Sequence, residues 1–226
     1  MNDDQWYTDE GSPGLGEALI GEQAAAAIAA MGSSADMLQH ALIRGYLARR
    51  DFSNRHYPKT TPGYMQWSAT NRFLRDLHAP LGWMPVDDCG IAKTVSPDGS
   101  FAITAMLGNE DTGLRHRIPS TPRPRGGAGV RDVIDNQQGD LFGFVRPLPV
   151  KTWLLLYHIE GTSGERPIRA ELSLPWALGE NNHITLWYRR LILPSIDLNE
   201  GSPRQGTPHE PEDTSSHAAP VHRKGA

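Results

Sequence analysis

The stretch Ile91-Ala92-Lys93-Thr94-Val95-Ser96-Pro97-Asp98-Gly99-Ser100-Phe101-Ala102-Ile103-Thr104-Ala105-Met106-Leu107 decides the fold. Ile91, Lys93 and Val95 alternate with Ala92 and Thr94, and Phe101, Ile103, Ala105 and Leu107 alternate in the same way. A period of two marks a strand with one face turned to a core. Between the two runs lies Ser96-Pro97-Asp98-Gly99-Ser100, which is turn chemistry. Proline presets φ, aspartate bonds nearby backbone amides, and glycine takes a left-handed conformation without strain. The runs therefore form a β-hairpin, with Gly99 at positive φ.

Upstream, the pattern is helical. The alanine-rich segment 17–31 favours helix, and Gly32 stops it. Ser33 stands three residues before Asp36, a variant of the capping-box spacing. A second helix then runs to about Arg50, with Leu38, Ala41, Leu42, Gly45 and Tyr46 on one stripe and Arg49 and Arg50 in its last turn. Segment 51–63 reads as a polar linker. A third helix over 64–78 carries Thr70, Phe73, Leu74 and Leu77 on a stripe and ends before Pro80.

Downstream, 108–130 is irregular and a short helix is expected over 130–138. Residues 153–159 are apolar on both faces, as in a central strand. In 168–174, Ala170, Leu172 and Leu174 face one way and Arg169, Glu171 and Ser173 the other. Segment 175–182 interrupts this strand, and 183–193 holds the last one. The expected class is α+β: an antiparallel sheet of about five strands, N-terminal helices packed against it, and a disordered C-terminal tail. The expected divisions are an acidic leader over 1–16, a helical region and linker over 17–62, an α+β core over 63–198 and the tail over 199–226. That tail has no apolar run, so it cannot offset its ordering entropy.

Composition bounds the function. The chain has 226 residues, 38% of them apolar, and a formal net charge of −4, so any polyanion or membrane partner must be met by a local patch. Its basic residues are mostly arginine, and with the abundant Ala, Gly and Pro this is the composition of a GC-rich bacterial genome. The single cysteine, Cys89, cannot pair internally, which fits a reducing compartment. The acidic start lacks the positive charge of a signal peptide, and the alanine run is too short to span a bilayer. A cytoplasmic protein with no membrane partner is expected.

No catalytic or metal motif stands out. The nine histidines are scattered and Cys89 has no companion, so neither a metal nor a cofactor is expected. Ser173 lacks the glycines of a nucleophile elbow. Asp87 and Asp88 lie beside Cys89; nearby carboxylates disfavour a thiolate, so a reactive thiol is not expected, and the pair suits a loop better than a metal site. His158, Glu171 and Asp197 are an acid–base set only if neighbouring strands bring them together. Gly126-Gly127-Ala128-Gly129 lacks the Lys-Ser/Thr of a phosphate loop.

One stretch is different. Arg115, His116, Arg117, Arg123, Arg125 and Arg131 crowd a window that holds no acid between Thr112 and Asp132. Guanidinium forks match phosphate oxygens, and loops on a rigid sheet commonly carry binding groups. Arg115, Arg117, Arg123, Arg125 and Arg131 are thus the candidate nucleic-acid-binding residues of a non-catalytic binding protein. Flanking Glu110, Asp111, Asp132 and Asp135 also suit a self-neutralised connector. Trp187-Tyr188-Arg189-Arg190 has the makings of a base-stacking patch, but Trp187 and Tyr188 point to opposite faces of a strand. Two other functions stay open: a protein–protein adaptor or inhibitor encoded on a mobile element, and an enzyme of unrecognised type.

Overall fold

The expected hairpin is formed, with strands β3 (Ile91–Val95) and β4 (Phe101–Leu107). The computed structural model describes residues 16, 18–88, 90–121, 150–159, 167–178 and 183–198. Gly99 has φ +73°, and its amide donates to the Ser96 carbonyl at 2.9 Å. Asp98 fastens the turn: its carboxylate accepts from Ser96 Oγ at 2.5 Å and from the Ser100 amide at 3.1 Å. The Ser96 bond, followed by those from Ser100, holds the Asp98 carboxyl below its usual range.

The remaining described elements are strand β1 (Ala18–Leu19), helices α1 (Gly21–Ala30), α2 (Ala35–Asp51) and α3 (Thr61–His78), a 3-10 turn (Ala79–Leu81), then strands β2 (Met84–Asp88), β5 (Lys151–Ile159), β6 (Ile168–Leu178) and β7 (Ile184–Ile192). The sheet order is β1-β7-β6-β5-β4-β3-β2. This is α+β, but the expectation of about five antiparallel strands is corrected: the described residues form a sheet of seven strands, and it is mixed. β4 pairs with β5 in parallel, from Phe101↔Lys151 to Leu107↔Tyr157, and β1 pairs in parallel with β7. Strand alternation says nothing about direction, which depends on the path taken between residues 107 and 151.

Both added strands lie at sheet edges and carry weak signals. β1 has two residues and adjoins the alanine-rich helix, so it merged with it in the sequence pattern. β2 is exposed along its whole length and contains Pro85, so no apolar alternation marks it. Arg75 of α3 guards this edge, donating to the Val86 carbonyl at 3.4 Å and to Asp87 at 2.6 Å. Charge and proline on an edge oppose pairing with another chain. β6 runs through Pro175 to Leu178 where an interruption was expected, because register shifts around Pro175 accommodate the missing amide.

Helices cover one face of the sheet. Ile28, Leu38, Leu42 and Leu74 pack there with Ile103, Trp153, Leu155 and Leu172. The N-cap of α2 is Ser34, whose side chain accepts from the Met37 amide at 3.2 Å, and not Ser33. Ser33 is buried instead, its hydroxyl 2.8 Å from His78 Nε2. α3 buries Gln66, Thr70, Asn71, Leu74 and His78, a more polar face than the expected stripe. Phe73 is partly buried, with the Arg44 guanidinium 4.7 Å from its ring centre. Asn71 Oδ1 accepts from the Ala105 amide at 2.9 Å, where the described β3–β4 pairing ends at Thr94↔Ile103.

The opposite face has a smaller apolar cluster of Ile91, Met106, Leu154, Leu156, Ile184 and Trp187. Glu171, Ser173 and Arg190 are buried there as well. This face carries the candidate loop.

Candidate nucleic-acid interface

After β4 the chain makes one more ladder bond, Gly108 N–H to the Tyr157 carbonyl at 3.0 Å, and then leaves the sheet. Asn109 and Ser120 clasp the base of the loop: the Asn109 amide donates to the Ser120 carbonyl at 3.0 Å, and Asn109 Oδ1 accepts from the Ser120 amide at 3.0 Å. Turn bonds from Thr112 to Asn109, Leu114 to Asp111 and Arg117 to Leu114 coil the backbone between them. Gly113 has φ +75°, and a Cβ added to it would lie 3.0 Å from Arg169 Cβ and 3.2 Å from the Ala170 nitrogen. Glycine thus lets the loop lie directly on β6.

A buried ion pair lies beneath. Arg190 Nε and Nη2 donate to the two Glu171 carboxylate oxygens at 2.9 and 2.6 Å. Glu171 is 0% and Arg190 4% exposed. Arg190 also donates to the Arg117 carbonyl at 2.7 Å and the Leu114 carbonyl at 3.2 Å. Glu171 accepts from the Gly113 amide at 2.9 Å and from Ser173 Oγ at 2.6 Å. Every partner of the pair is thus a polar group that needs one. Farther along, Trp187 Nε1 donates to the Pro119 carbonyl at 2.8 Å and the Ile184 amide to Thr121 Oγ1 at 3.2 Å. His183 Nδ1 pairs with the Thr121 carbonyl.

On this anchored backbone Arg115, His116, Arg117 and Ile118 are exposed in succession. Two of the expected arginines, Arg115 and Arg117, are therefore exposed on one anchored loop. Arg123, Arg125 and Arg131 lie outside the described residues, as do the 126–129 glycine cluster, the helix expected over 130–138, Cys89 and the tail from 199. Glu110 and Asp111 do not neutralise the loop arginines in the described contacts. Glu110 offers its carbonyl to Arg169 at 2.5 Å, and the Asp111 carboxylate accepts from Asn109 at 3.1 Å.

The other candidates are placed elsewhere. Glu171 is committed to Arg190, whereas His158 lies opposite Arg169 on β5 and Asp197 is exposed. The Ser173 hydroxyl is a buried donor to Glu171. Asp87 pairs with Arg75 at 2.6 Å and Asp88 with Lys93 at 3.3 Å. Among the described residues, no group of three or more His, Cys, Asp or Glu side chains is arranged to hold a metal. No described helix is long and apolar enough to cross a membrane.

The aromatic patch does not assemble around the basic loop. Trp187 is 4% exposed beneath it, and Tyr188 packs against the helix-side core, stacked on Trp176 at 5.8 Å. Arg190, grouped with them in the sequence, is a buried structural charge. Sequence reasoning missed the Glu171–Arg190 pair because the residues lie on different strands. The available signal was a charge within apolar company, Ala170-Glu171-Leu172 and Arg190-Leu191-Ile192. No family model, curated protein or solved structure matches the chain.

Proposed function

We propose that this chain is a non-catalytic binding protein that contacts nucleic-acid phosphates through the basic window from Gly113 to Arg131. The observation that supports this reading is the exposure of Arg115 and Arg117 together on a loop whose backbone is anchored from beneath. Phosphate contacts come from such guanidinium and backbone donors and carry no base information. Glu171 and Ser173, the groups best placed in a strand to do chemistry, are buried and spent on structure.

A salt titration tests the reading. Binding of mixed-sequence duplex DNA should weaken with salt at a slope of roughly −0.9 per phosphate contact. Replacing Arg115 and Arg117 by Ala should remove about two contacts' worth of slope and weaken all sequences alike. Replacing Arg123 and Arg125 by Ala should do the same if the whole window is used. Wild-type protein that leaves DNA and RNA unbound at low salt overturns the reading.

A further inference from the structure

The Glu171–Arg190 pair faces two ways. Inward it occupies strand positions flanked by Leu172 and Leu191, both fully buried. Apolar side chains of similar volume would fill those positions without the desolvation cost of two charges. Outward the pair does something that leucines could not. Glu171 accepts the Gly113 amide, and Arg190 donates to the carbonyls of Leu114 and Arg117. Those three backbone groups bracket Arg115 and Arg117, the exposed arginines of the described part of this loop.

We infer that Glu171 and Arg190 are positioning residues for phosphate binding, holding the 113–117 backbone in its bound form before any ligand arrives. This rests on the function proposed above. A loop ordered in advance loses less conformational entropy on binding, so its arginines deliver more of their contact energy. The geometry is demanding: one guanidinium must bridge a carboxylate and two carbonyls at 2.6 to 3.2 Å. Only a planar fork with several fixed donors meets it, and a lysine ammonium does not. The Asn109–Ser120 clasp closes the loop base and the turn bonds of Leu114 and Arg117 coil the segment, while the ion pair ties the 113–117 backbone down onto the sheet.

The test joins amide hydrogen exchange with binding of mixed-sequence duplex DNA at one low salt concentration. The double variant Glu171→Leu/Arg190→Leu removes the anchor while refilling the strand positions. Arg190→Lys keeps a charge opposite Glu171 and serves if the double variant does not fold. In either variant, amides of 112–118 should exchange about tenfold faster or more, while β5 and β6 amides keep wild-type protection. DNA affinity should fall about tenfold although Arg115 and Arg117 are intact. Unchanged exchange over 112–118 would overturn the inference alone. Faster exchange with unchanged DNA affinity would also overturn it, since the loop would then bind equally well unpositioned. Wild-type protein that does not bind DNA would overturn the function itself, whatever the exchange data show.

Discussion

Thr70 Oγ1 lies 1.9 Å from where a Cβ on Gly45 would sit, and the Gln66 carbonyl oxygen lies 2.9 Å from the same point. Helices α2 and α3 therefore cross in contact at Gly45, and Thr70 is held there by its bond to the Gln66 carbonyl at 2.8 Å. Alanine in a helix interior is better than glycine by up to ~1 kcal/mol where it is exposed. Here crowding outweighs propensity. Gly45→Ala should destabilise by about 1–3 kcal/mol in denaturant unfolding. A stabilising result would mean that the helices sit farther apart than this.

Gly99 meets no atom within 4 Å of an added Cβ, so only its φ of +73° resists substitution. Gly99→Val should cost roughly 1–3 kcal/mol, the range for a strained backbone position. Gly99→Asn should cost less, because asparagine tolerates the left-handed region. Equal stability of the valine and asparagine variants in thermal unfolding would refute a conformational cause.

His78 is buried between the α1–α2 turn and Trp83, with Nε2 at Ser33 and Nδ1 2.7 Å from the Leu74 carbonyl. Burial holds its pKa below the ordinary 6.5, partly offset by the Leu74 carbonyl. The unfolded chain thus takes up this proton more readily than the folded one. The stability due to neutral His78 is fully present above pH 6.5 and is lost as pH falls below it toward the folded value. Melting temperature measured against pH should show this acid limb in wild type and lose it in His78→Gln. An identical limb in both proteins would place the titrating group elsewhere.

Arg75 covers the Val86 carbonyl on β2, the outer strand of the sheet among the described residues, and pairs with Asp87. The pair is partly solvated, so its loss should change stability by only ~0–1 kcal/mol. Arg75→Ala should nonetheless raise self-association above wild type, because the edge loses its guard next to exposed Met84 and Val86. Light scattering across a concentration series measures it. Equal scattering by variant and wild type would show that Pro85 and the aspartates suffice.

What was legible in the sequence was local. The 91–107 hairpin needs only alternation and the Pro97-Asp98-Gly99 turn, and both are contiguous in the chain. The stripe of α2 was legible for the same reason, since one helix face recurs every few residues. The alternation of 168–174 correctly separated Ala170, Leu172 and Leu174 from Glu171 and Ser173. What covers the second set it left open. A loop from elsewhere in the chain covers that face, and the charge of Glu171 in apolar company is the one hint of that cover within β6.

The burial of α3 makes the same point. Phe73 and Leu77 look like its core face, yet Gln66, Asn71 and His78 are buried more deeply. Their partners are Arg49, the Ala105 amide and Ser33, all on other elements. A polar side chain goes inside when a distant group satisfies it, and hydropathy cannot see that group.

Sequence alone thus determined the three helices before residue 80, the 91–107 hairpin with its turn at Gly99, and the basic character of the stretch around Arg115 and Arg117, because each follows from neighbours in the chain. Only the tertiary structure decided the parallel pairing of β4 with β5, the closeness of Gly45 to Thr70, and the service of Arg190 as an anchor inside the protein while Arg115 and Arg117 face water. All three are meetings of distant residues, settled by where the backbone travels and by which buried polar groups find partners there.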